Sequence, residues 1–249
     1  MIFDKAKKQI IPRARGLAKK ASGWIFPARC AICDDVITES ELICRDCAST
    51  VRTIVGETCY KCGKKLRDSN KLYCYDCSKK IHYFDRGFSV FEYPEVKHSL
   101  YRFKYAGRAE YARFYARYAY DEIGNTICRL GVDALIPVPI HKKRYRKRGY
   151  NQAELFANEF SKLTNIPVIN DYIIRNKSTI PLKLLDEKGR INNLKKAFII
   201  GSNGVKLETI VIIDDIYTTG STIDAISRVC RQAGVKKIYC LTVAVGKGL

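Results

Sequence analysis

The residues with the clearest chemical potential lie between Ile210 and Thr222, in the string IVIIDDIYTTGST. Its apolar first half predicts a buried strand that ends in two carboxylates, Asp214 and Asp215. Neighbouring residues on a strand face opposite ways, so at least one of the pair points away from the core. Carboxylates in this position can accept hydrogen bonds from sugar hydroxyls, and we therefore treat both as candidate catalytic and binding residues.

A loop of small residues follows the carboxylates and leads into a predicted helix. It contains Thr218, Thr219, Gly220, Ser221 and Thr222. Small side chains let backbone N–H groups approach a phosphate, and the helix start adds unpaired donors. A plain turn before a capped helix is the simpler alternative, because Thr and Ser are common N-caps. The whole string favours a phosphate loop, since open α/β sheets bind ligands at the carboxyl ends of their strands.

Eight of the 11 cysteines form four Cys-x-x-Cys pairs, separated by 10, 11 and 11 residues. The ligand candidates are Cys30, Cys33, Cys44, Cys47, Cys59, Cys62, Cys74 and Cys77. Two such pairs form the tetrahedral sulfur cage that Zn²⁺ prefers, so the pattern predicts two structural zinc ions. Disulfides and iron–sulfur clusters are the alternatives. The simplest assignment is sequential, Cys30 to Cys47 for one ion and Cys59 to Cys77 for the other, although spacing also permits interleaved pairs.

The chain carries a formal net charge of +20, from 45 Lys and Arg against 25 Asp and Glu among 249 residues. Seven basic residues and one acid fall in positions 1–20, and 142–148 (KKRYRKR) holds six basic residues. This excess favours polyanions such as nucleic acid or phosphorylated molecules. We find neither a secretory signal nor an apolar run long enough to span a membrane, and we expect a cytoplasmic protein, either free or at the inner face of the membrane.

Hydrophobic patterning predicts an α/β fold with a mainly parallel sheet behind a cysteine-rich module. We divide the chain into a basic segment (1–29), a zinc ribbon (30–80) and an α/β domain (81–249). Strands are predicted at Tyr83–Tyr93, Asp133–Pro139, Pro167–Ile174, Thr209–Ile213 and Lys237–Val245. Helices are predicted within 95–123 with a break at Gly107, at Asn151–Leu163 and at Thr222–Ala233. The segment Asn176–Lys196 has no clear period and is predicted to be a long mobile loop.

Together these motifs resemble the ComF family, whose members join a zinc ribbon to a type I phosphoribosyltransferase domain. The string at Ile210–Thr222 is similar to the motif with which such transferases bind phosphoribosyl pyrophosphate (PRPP). Further similar stretches are LYRFKYAG at Leu100–Gly107 and DALIPVPIHKKRYRKRGYNQ at Asp133–Gln152. The resemblance implies a Rossmann-like phosphoribosyltransferase fold, with PRPP and Mg²⁺ bound at Asp214, Asp215 and the loop that follows.

The resemblance also implies two further segments of the site. The loop Ile140–Tyr150 would face the pyrophosphate, with Arg148 and Gly149 as its binding residues; a solvated basic loop is the alternative. A flexible loop would span 175–198, matched here through Arg175, Thr179, Arg190, Asn193 and Phe198. Leu182 stands where the family usually has Gln, which leaves the acceptor and the activity itself open.

Two functions follow from the resemblance. The first is transfer of a phosphoribosyl group from PRPP with Mg²⁺ during DNA uptake and natural transformation. The second is a non-catalytic, PRPP-sensing scaffold of the competence machinery that binds single-stranded DNA. In either case single-stranded DNA is the expected partner, and a DNA-uptake helicase or an inner-membrane channel would be possible protein partners.

Overall fold

The computed structural model describes residues 27–175, 197–201 and 205–246. The chain divides into two compact units, Met1–Thr50 and Val51–Leu249, and each is described by itself. The first unit carries the first four cysteines of the predicted ribbon. The second carries the other four together with the α/β elements.

The described part of the first unit is a short ribbon. Arg29 and Val36 form an antiparallel bridge around a turn in which Asp34 adopts a left-handed conformation with φ of 75°. The backbone N–H of Cys30 donates to the carbonyl of Asp35 across this turn. Helix α1 (Arg45–Thr50) then follows Cys44 and carries Cys47. The turn and the helix start therefore each supply one cysteine pair.

The second unit begins with a ribbon of the same design. Thr58 and Lys65 form its bridge, and helix α2 (Tyr75–Ser78) carries Cys77. Gly63 in its turn has φ of 71°, and a Cβ there would overlap the backbone of Phe88 and Ser89. The hydroxyl of Ser89 donates to the carbonyl of Cys62 at 2.9 Å. This ribbon consequently packs directly against the strand that contains Phe88 and Ser89.

Four parallel strands form the main sheet in the described part of this unit, and two short strands pair separately. In chain order the strands are β1 (Arg86–Glu92), β2 (Ala134–Pro137), β3 (Ile173–Arg175), β4 (Phe198–Ile200), β5 (Thr209–Tyr217) and β6 (Lys237–Val245). The main sheet has the order β1-β6-β5-β2, and β3 pairs antiparallel with β4. β5 and β6 are apolar and buried along most of their length, as strands covered on both faces must be.

Helices surround this sheet. They are α3 (Tyr93–Tyr105), α4 (Tyr111–Ala119) with a π-helical turn (Tyr120–Gly124), α5 (Asn125–Arg129), α6 (Lys142–Arg148), α7 (Gln152–Thr164) and α8 (Ser221–Gln232). The α7 helix begins at Asn151, whose side chain accepts from the backbone N–H of Ala153, and Asn165 ends it with φ of 58°. The buried face of α7, with Phe156 and Phe160, packs on the sheet and on α4. The fold confirms the predicted α/β class with a parallel sheet and a double zinc ribbon.

The carboxyl edge of the sheet is uneven, and this exposes the candidate site. β2 ends at Pro137 opposite Ile213, whereas β5 continues to Tyr217 paired with β6 alone. Asp214 and Asp215 thus lie just beyond the end of β2, within β5. The prediction that the strand stops at Ile213 is wrong, because pairing with β6 extends it by four residues.

Two further expectations differ from the structure. The loop predicted over Ile140–Tyr150 contains helix α6, because His141 caps its start and Gly149, with φ of 81°, ends it. The strand predicted over Pro167–Ile174 is β3 only from Ile173 onward, and Val168 forms an isolated bridge to Leu135. The mobile loop predicted at 176–196 lies outside the described residues.

Candidate functional site

The two carboxylates of β5 have different surroundings. Lys104 on α3 places its Nζ 2.9 Å from Oδ2 of Asp215, and both side chains are mostly buried. The backbone N–H of Asp215 donates to Oδ1 of Asp214 at 2.8 Å. Asp215 is therefore paired with a cation, whereas Asp214 accepts a local hydrogen bond from the backbone. Adjacent carboxylates that differ in this way are suited to different roles.

The environment of Asp214 raises its pKa to about 7. Burial is the largest cause, and the nearby charge of Asp215 adds to it. The N–H of Asp215 and the positive charges of Lys104 and Arg175 oppose this rise in pKa. Near neutral pH the Asp214 carboxyl is thus poised to accept or lose a proton, which is a common property of groups in functional sites.

The loop after β5 is exposed at its start and turns at a left-handed glycine. Thr218 and Thr219 are exposed, and the hydroxyls of Thr219 and Ser221 lie 2.9 Å apart. Gly220 has φ of 74°, and a Cβ there would overlap the hydroxyl of Tyr217. Only glycine therefore fits at this position without strain.

Helix α8 begins at Ser221, directly after Gly220, and runs for 12 residues. Its first amides have no partners within the helix, and its positive end faces the loop. Thr222 lies in this first turn. The structure consequently brings the carboxylate pair, the loop and a helix N-terminus together at one edge of the sheet, as the sequence predicts.

Contacts from the second ribbon reach this loop and helix. Nζ of Lys80 donates to the carbonyl of Thr219 at 3.3 Å. Asp224, in the first turn of α8, accepts from the backbone N–H of Tyr83 and lies 2.9 Å from Nδ1 of His82. The His82 side chain is almost fully buried. These contacts fix the end of the ribbon against the start of α8.

Arg148 and Gly149 have structural roles in the described chain. Arg148 donates to Oε1 of Gln152 at 2.8 Å and to the hydroxyl of Tyr105 at 3.2 Å, and its guanidinium stacks over the Tyr105 ring. Gly149 ends α6. Within the described residues, these hydrogen bonds hold Arg148 against α3 and α7, so its expected role at a pyrophosphate remains a prediction.

Arg175, at the end of β3, is the member of the predicted flexible loop that the structure relates to the carboxylates. Burial lowers its pKa, the charge of Arg144 lowers it further, and Asp214 opposes both. Its guanidinium lies over the Phe198 ring at 5.5 Å. The other residues named for that loop, Thr179, Leu182, Arg190 and Asn193, lie outside the described residues.

Sequence reasoning missed Lys104, which forms the ion pair with Asp215. Its position within LYRFKYAG could have identified it, because that stretch is one of the segments that resemble the ComF family. Sequence reasoning also missed the contact between His82 and Asp224, which lie 142 positions apart. His141 caps α6 by accepting from the backbone N–H of Lys143.

The eight predicted metal ligands form two groups of four in the sequential arrangement. Cys30, Cys33, Cys44 and Cys47 form one group, and Cys59, Cys62, Cys74 and Cys77 form the other, with all sulfurs of a group within 4.8 Å of one another. Tetrahedral zinc with Zn–S bonds of about 2.3 Å separates its sulfurs by about 3.8 Å. The sulfurs of Cys33 and Cys44 lie 3.7 Å apart, as do those of Cys62 and Cys74. Both groups fit a structural zinc ion.

Comparison with known proteins agrees with this architecture. A family model described as a double zinc ribbon domain matches residues 21–78. Competence protein F of Haemophilus influenzae is 39% identical over 108 residues, which cover 43% of this chain and 47% of that protein. Competence protein ComFC of Bacillus subtilis is 27% identical over 243 residues, or 88% of this chain and 95% of the relative. DNA utilization protein YhgH of Escherichia coli (strain K12) is 28% identical over 205 residues, covering 80% and 89%.

Within residues 27–175, 197–201 and 205–246, none of the helices is both long enough and apolar enough to cross a bilayer.

Proposed function

Because this chain belongs to the ComF family, we propose that it acts in DNA uptake and competence through a PRPP-binding phosphoribosyltransferase site. The relatives whose names refer to competence and to DNA utilization support the biological role. The observation that carries the chemistry is the position of Asp214 and Asp215 beside the loop 218–222, at the carboxyl edge of a parallel sheet. Open α/β sheets bind their ligands at this edge.

The carboxylates are suited to the ribose end of PRPP. Each can accept a hydrogen bond from a sugar hydroxyl, and Asp215 is held in place by Lys104. The pKa of Asp214 is raised, and the positive charge of Arg175 opposes that rise. A ligand hydroxyl that donates to Asp214, or a cation bound beside it, would therefore favour the negatively charged carboxylate. A negative carboxylate near the ribose also stabilises the positive charge that develops on the sugar during transfer.

The loop is suited to the 5′-phosphate of PRPP. Its backbone amides, the hydroxyls of Thr218, Thr219, Ser221 and Thr222, and the start of α8 all supply donors. Gly220 lets the backbone approach the phosphate closely. These groups would anchor the phosphorylated end of the ligand while the carboxylates hold the ribose hydroxyls.

Magnesium fits the oxygen donors of this site. Mg²⁺ is bound in proteins by one or two carboxylates together with substrate phosphates, and Asp214 and Asp215 are the carboxylates at this edge. When bound, the ion would neutralise charge on the leaving pyrophosphate. Among the described residues, Lys104 pairs with Asp215, and the charges of Lys104 and Arg175 both act on Asp214.

Calorimetric titration with PRPP and Mg²⁺ tests the proposal. Each hydrogen bond to a charged group contributes about 1.5–3 kcal/mol, so Asp214→Ala with Asp215→Ala should weaken binding at least about tenfold. Asp121→Ala with Glu122→Ala is the matched control, because it removes two adjacent acids far from the loop in sequence. Wild type that fails to bind PRPP, or a double variant that binds as tightly as wild type, would show the site assignment to be wrong.

A non-catalytic PRPP sensor is the second candidate, and the departure at Leu182 favours it. A Gln in the family's flexible loop would be available to an acceptor or to PRPP, whereas Leu offers no hydrogen bond. Release of pyrophosphate from PRPP, assayed with nucleobases and with DNA as acceptors, separates the two functions. Release with any acceptor supports transfer; PRPP binding without release across the panel supports sensing.

A further inference from the structure

The second unit contains a cleft of about 1060 Å³ between its ribbon and the carboxyl edge of the sheet. One wall is formed by ribbon residues between Lys64 and Asp76. The other is formed by Glu92 and Pro94, where β1 passes into α3, and by Val245 and Gly246 at the end of β6. Its volume is that of a large ligand site. Among the described residues, the carboxylates and the loop 218–222 do not line it, so this cleft is a separate feature.

Aromatic rings of the ribbon face this cleft while remaining open to solvent. Tyr73 is 39% exposed and Tyr75 is 75% exposed, and both line the cleft. They flank Cys74, so the second cysteine group holds their backbone in place. Tyrosines that serve only to fill a core are buried, as Tyr111 and Tyr115 are in this chain. Exposed rings on a fixed backbone instead provide flat surfaces on which unpaired bases can stack.

The cations of the ribbon wall complement a phosphate backbone. Lys64 pairs with Asp76 at 2.9 Å and Lys71 pairs with Asp68 at 3.5 Å. Lys65 and Arg67 are exposed, and within the described residues neither side chain forms an ion pair. Glu92 on the opposite wall is the remaining acid of the lining. The cleft therefore offers two uncommitted cations on the same wall as the two tyrosines.

The far end of the cleft adjoins the candidate phosphate loop. Val245 is the β6 partner of Tyr217, and the backbone N–H of Gly246 donates to the carbonyl of Tyr217 at 2.8 Å. A Cβ on Gly246 would lie 3.7 Å from Cγ2 of Thr218. A ligand that fills the cleft would consequently reach the first residue of the loop.

We propose that this cleft binds a segment of single-stranded nucleic acid, with bases stacked on Tyr73 and Tyr75 and phosphates beside Lys65 and Arg67. Duplex DNA keeps its bases stacked on one another, whereas a single strand leaves them free to stack on aromatic side chains. The inference rests on the proposed role in handling DNA, but it is independent of PRPP binding. It places a nucleic-acid strand next to the loop 218–222, where a phosphoribosyl acceptor would have to lie.

Fluorescence anisotropy with two labelled probes of equal length tests this inference on the full chain. One probe is oligothymidylate, and the other is an abasic oligonucleotide with the same phosphates and no bases. Tyr73→Ala with Tyr75→Ala should weaken binding of oligothymidylate about tenfold or more and leave the abasic probe unaffected. Tyr73→Phe with Tyr75→Phe keeps both rings and should bind like wild type. Lys65→Gln with Arg67→Gln should weaken both probes and reduce the salt slope by about 1.4.

The controls locate the effect. Tyr145→Ala changes an exposed tyrosine on the basic helix α6 and should leave the preference for bases intact. The zinc content of each variant shows whether its ribbon is folded. If the double alanine variant loses zinc, the single variant Tyr75→Ala replaces it in the binding test, because the Tyr75 side chain is largely exposed and contributes little to folding. The inference would be overturned if wild type showed no preference for the base-bearing probe. It would also be overturned if Tyr145→Ala lost that preference, or if wild type bound polyglutamate as tightly as oligothymidylate. Failure of PRPP titration alone would overturn the proposed function and leave this inference standing.

Discussion

At the scale of single residues, the neighbouring carboxylates of β5 illustrate how environment separates two identical groups. Asp215 has Lys104 at 2.9 Å, whereas Asp214 is partly buried beside the charge of Asp215 and has a pKa raised to about 7. When two carboxyls lie close together, the charge of one raises the pKa of the other, so the two ionise at different pH values. The pair therefore enters a binding event with one carboxylate fixed and the other able to change its protonation.

Asp214→Asn is expected to stabilise the free protein above pH 7 and to have little effect near pH 4. The pKa of Asp214 lies above its ordinary value of 3.8 in the folded chain, so between pH 4 and about 7 the folded state binds more protons than the unfolded state. The stability that the protonated Asp214 carboxyl contributes is fully present at low pH and is lost as the pH rises through this window. Thermal melts should show the difference in Tm between variant and wild type widening from pH 5 to pH 8, by about 2–4 °C for each kcal/mol.

Asp215→Asn is the matched comparison and should act in the opposite direction. It leaves the mostly buried cation of Lys104 without its partner, so Tm should fall at both pH values. A Tm difference for Asp214→Asn that is the same at pH 5 and pH 8 would contradict the raised pKa.

Gly220→Ala is expected to weaken PRPP binding at least about tenfold. An alanine there would adopt a left-handed conformation, which costs about 1–2 kcal/mol, and its Cβ would overlap Tyr217. Gly131→Ala is the control, because Gly131 has φ of 63° but open space around its Cβ position. Both variants bear the backbone strain, and Gly220→Ala alone should disturb the phosphate loop. Titrations and thermal melts compare them; identical behaviour of the two variants would refute the close approach.

At the scale of elements, apolar strands were predictable and polar extensions were not. β6 has the predicted bounds, Lys237–Val245, because its apolar run is continuous. β5 continues past its apolar run through Asp214 and Asp215, since backbone pairing with β6 holds it extended whatever the side chains are. The sequence could not show this pairing, which depends on the neighbouring strand.

Helix α6 was missed because it has no apolar face. None of its residues is buried and six of the seven are basic, so hydrophobic periodicity gives no signal. Lys and Arg are nevertheless good helix formers, and His141 and Gly149 supply the two ends. A reading based on capping and propensity would have found this helix.

Replacing Lys142, Lys143, Arg144 and Arg146 with Gln should reduce the salt dependence of single-stranded DNA binding. Each phosphate contact contributes about 0.7 to the slope of log K against log salt, so the slope should fall by at most about 3. Lys236→Gln with Lys237→Gln, near the amino end of β6, is the comparison and should change the slope little. Anisotropy titrations at several salt concentrations provide the measurement. An unchanged slope would show that α6 does not contact the nucleic acid.

At the scale of the whole molecule, the partners of the site come from distant parts of the chain. Lys104 lies on α3, the carboxylates on β5, and His82 reaches Asp224 across 142 positions. Motifs identify residues that are close in sequence, whereas these pairings depend on the order β1-β6-β5-β2. The loop and the cysteine ligands were therefore predictable, and the residues that support them were not.

The two cysteine groups also differ in their place in the molecule. Cys59, Cys62 and Cys77 belong to the same buried cluster as Tyr217 and Ile223, which lie on either side of the candidate loop 218–222. The first group lies in the separate unit Met1–Thr50. Although both groups have four cysteine ligands, loss of metal from the second group should therefore affect the proposed PRPP site more than loss from the first.

Removing one zinc ion at a time tests this difference. Cys59→Ser with Cys62→Ser should lower Tm and weaken PRPP binding, because metal binding stabilises a ribbon whose contacts from Lys80 and His82 hold Thr219 and Asp224. Cys30→Ser with Cys33→Ser should leave PRPP affinity within about twofold of wild type, since its ligands lie in the other unit. Elemental analysis should find about two zinc ions in wild type and about one in each variant. Equal losses of PRPP affinity in the two variants would refute a special role for the second group, and wild type that contains iron or no metal would refute the zinc assignment itself.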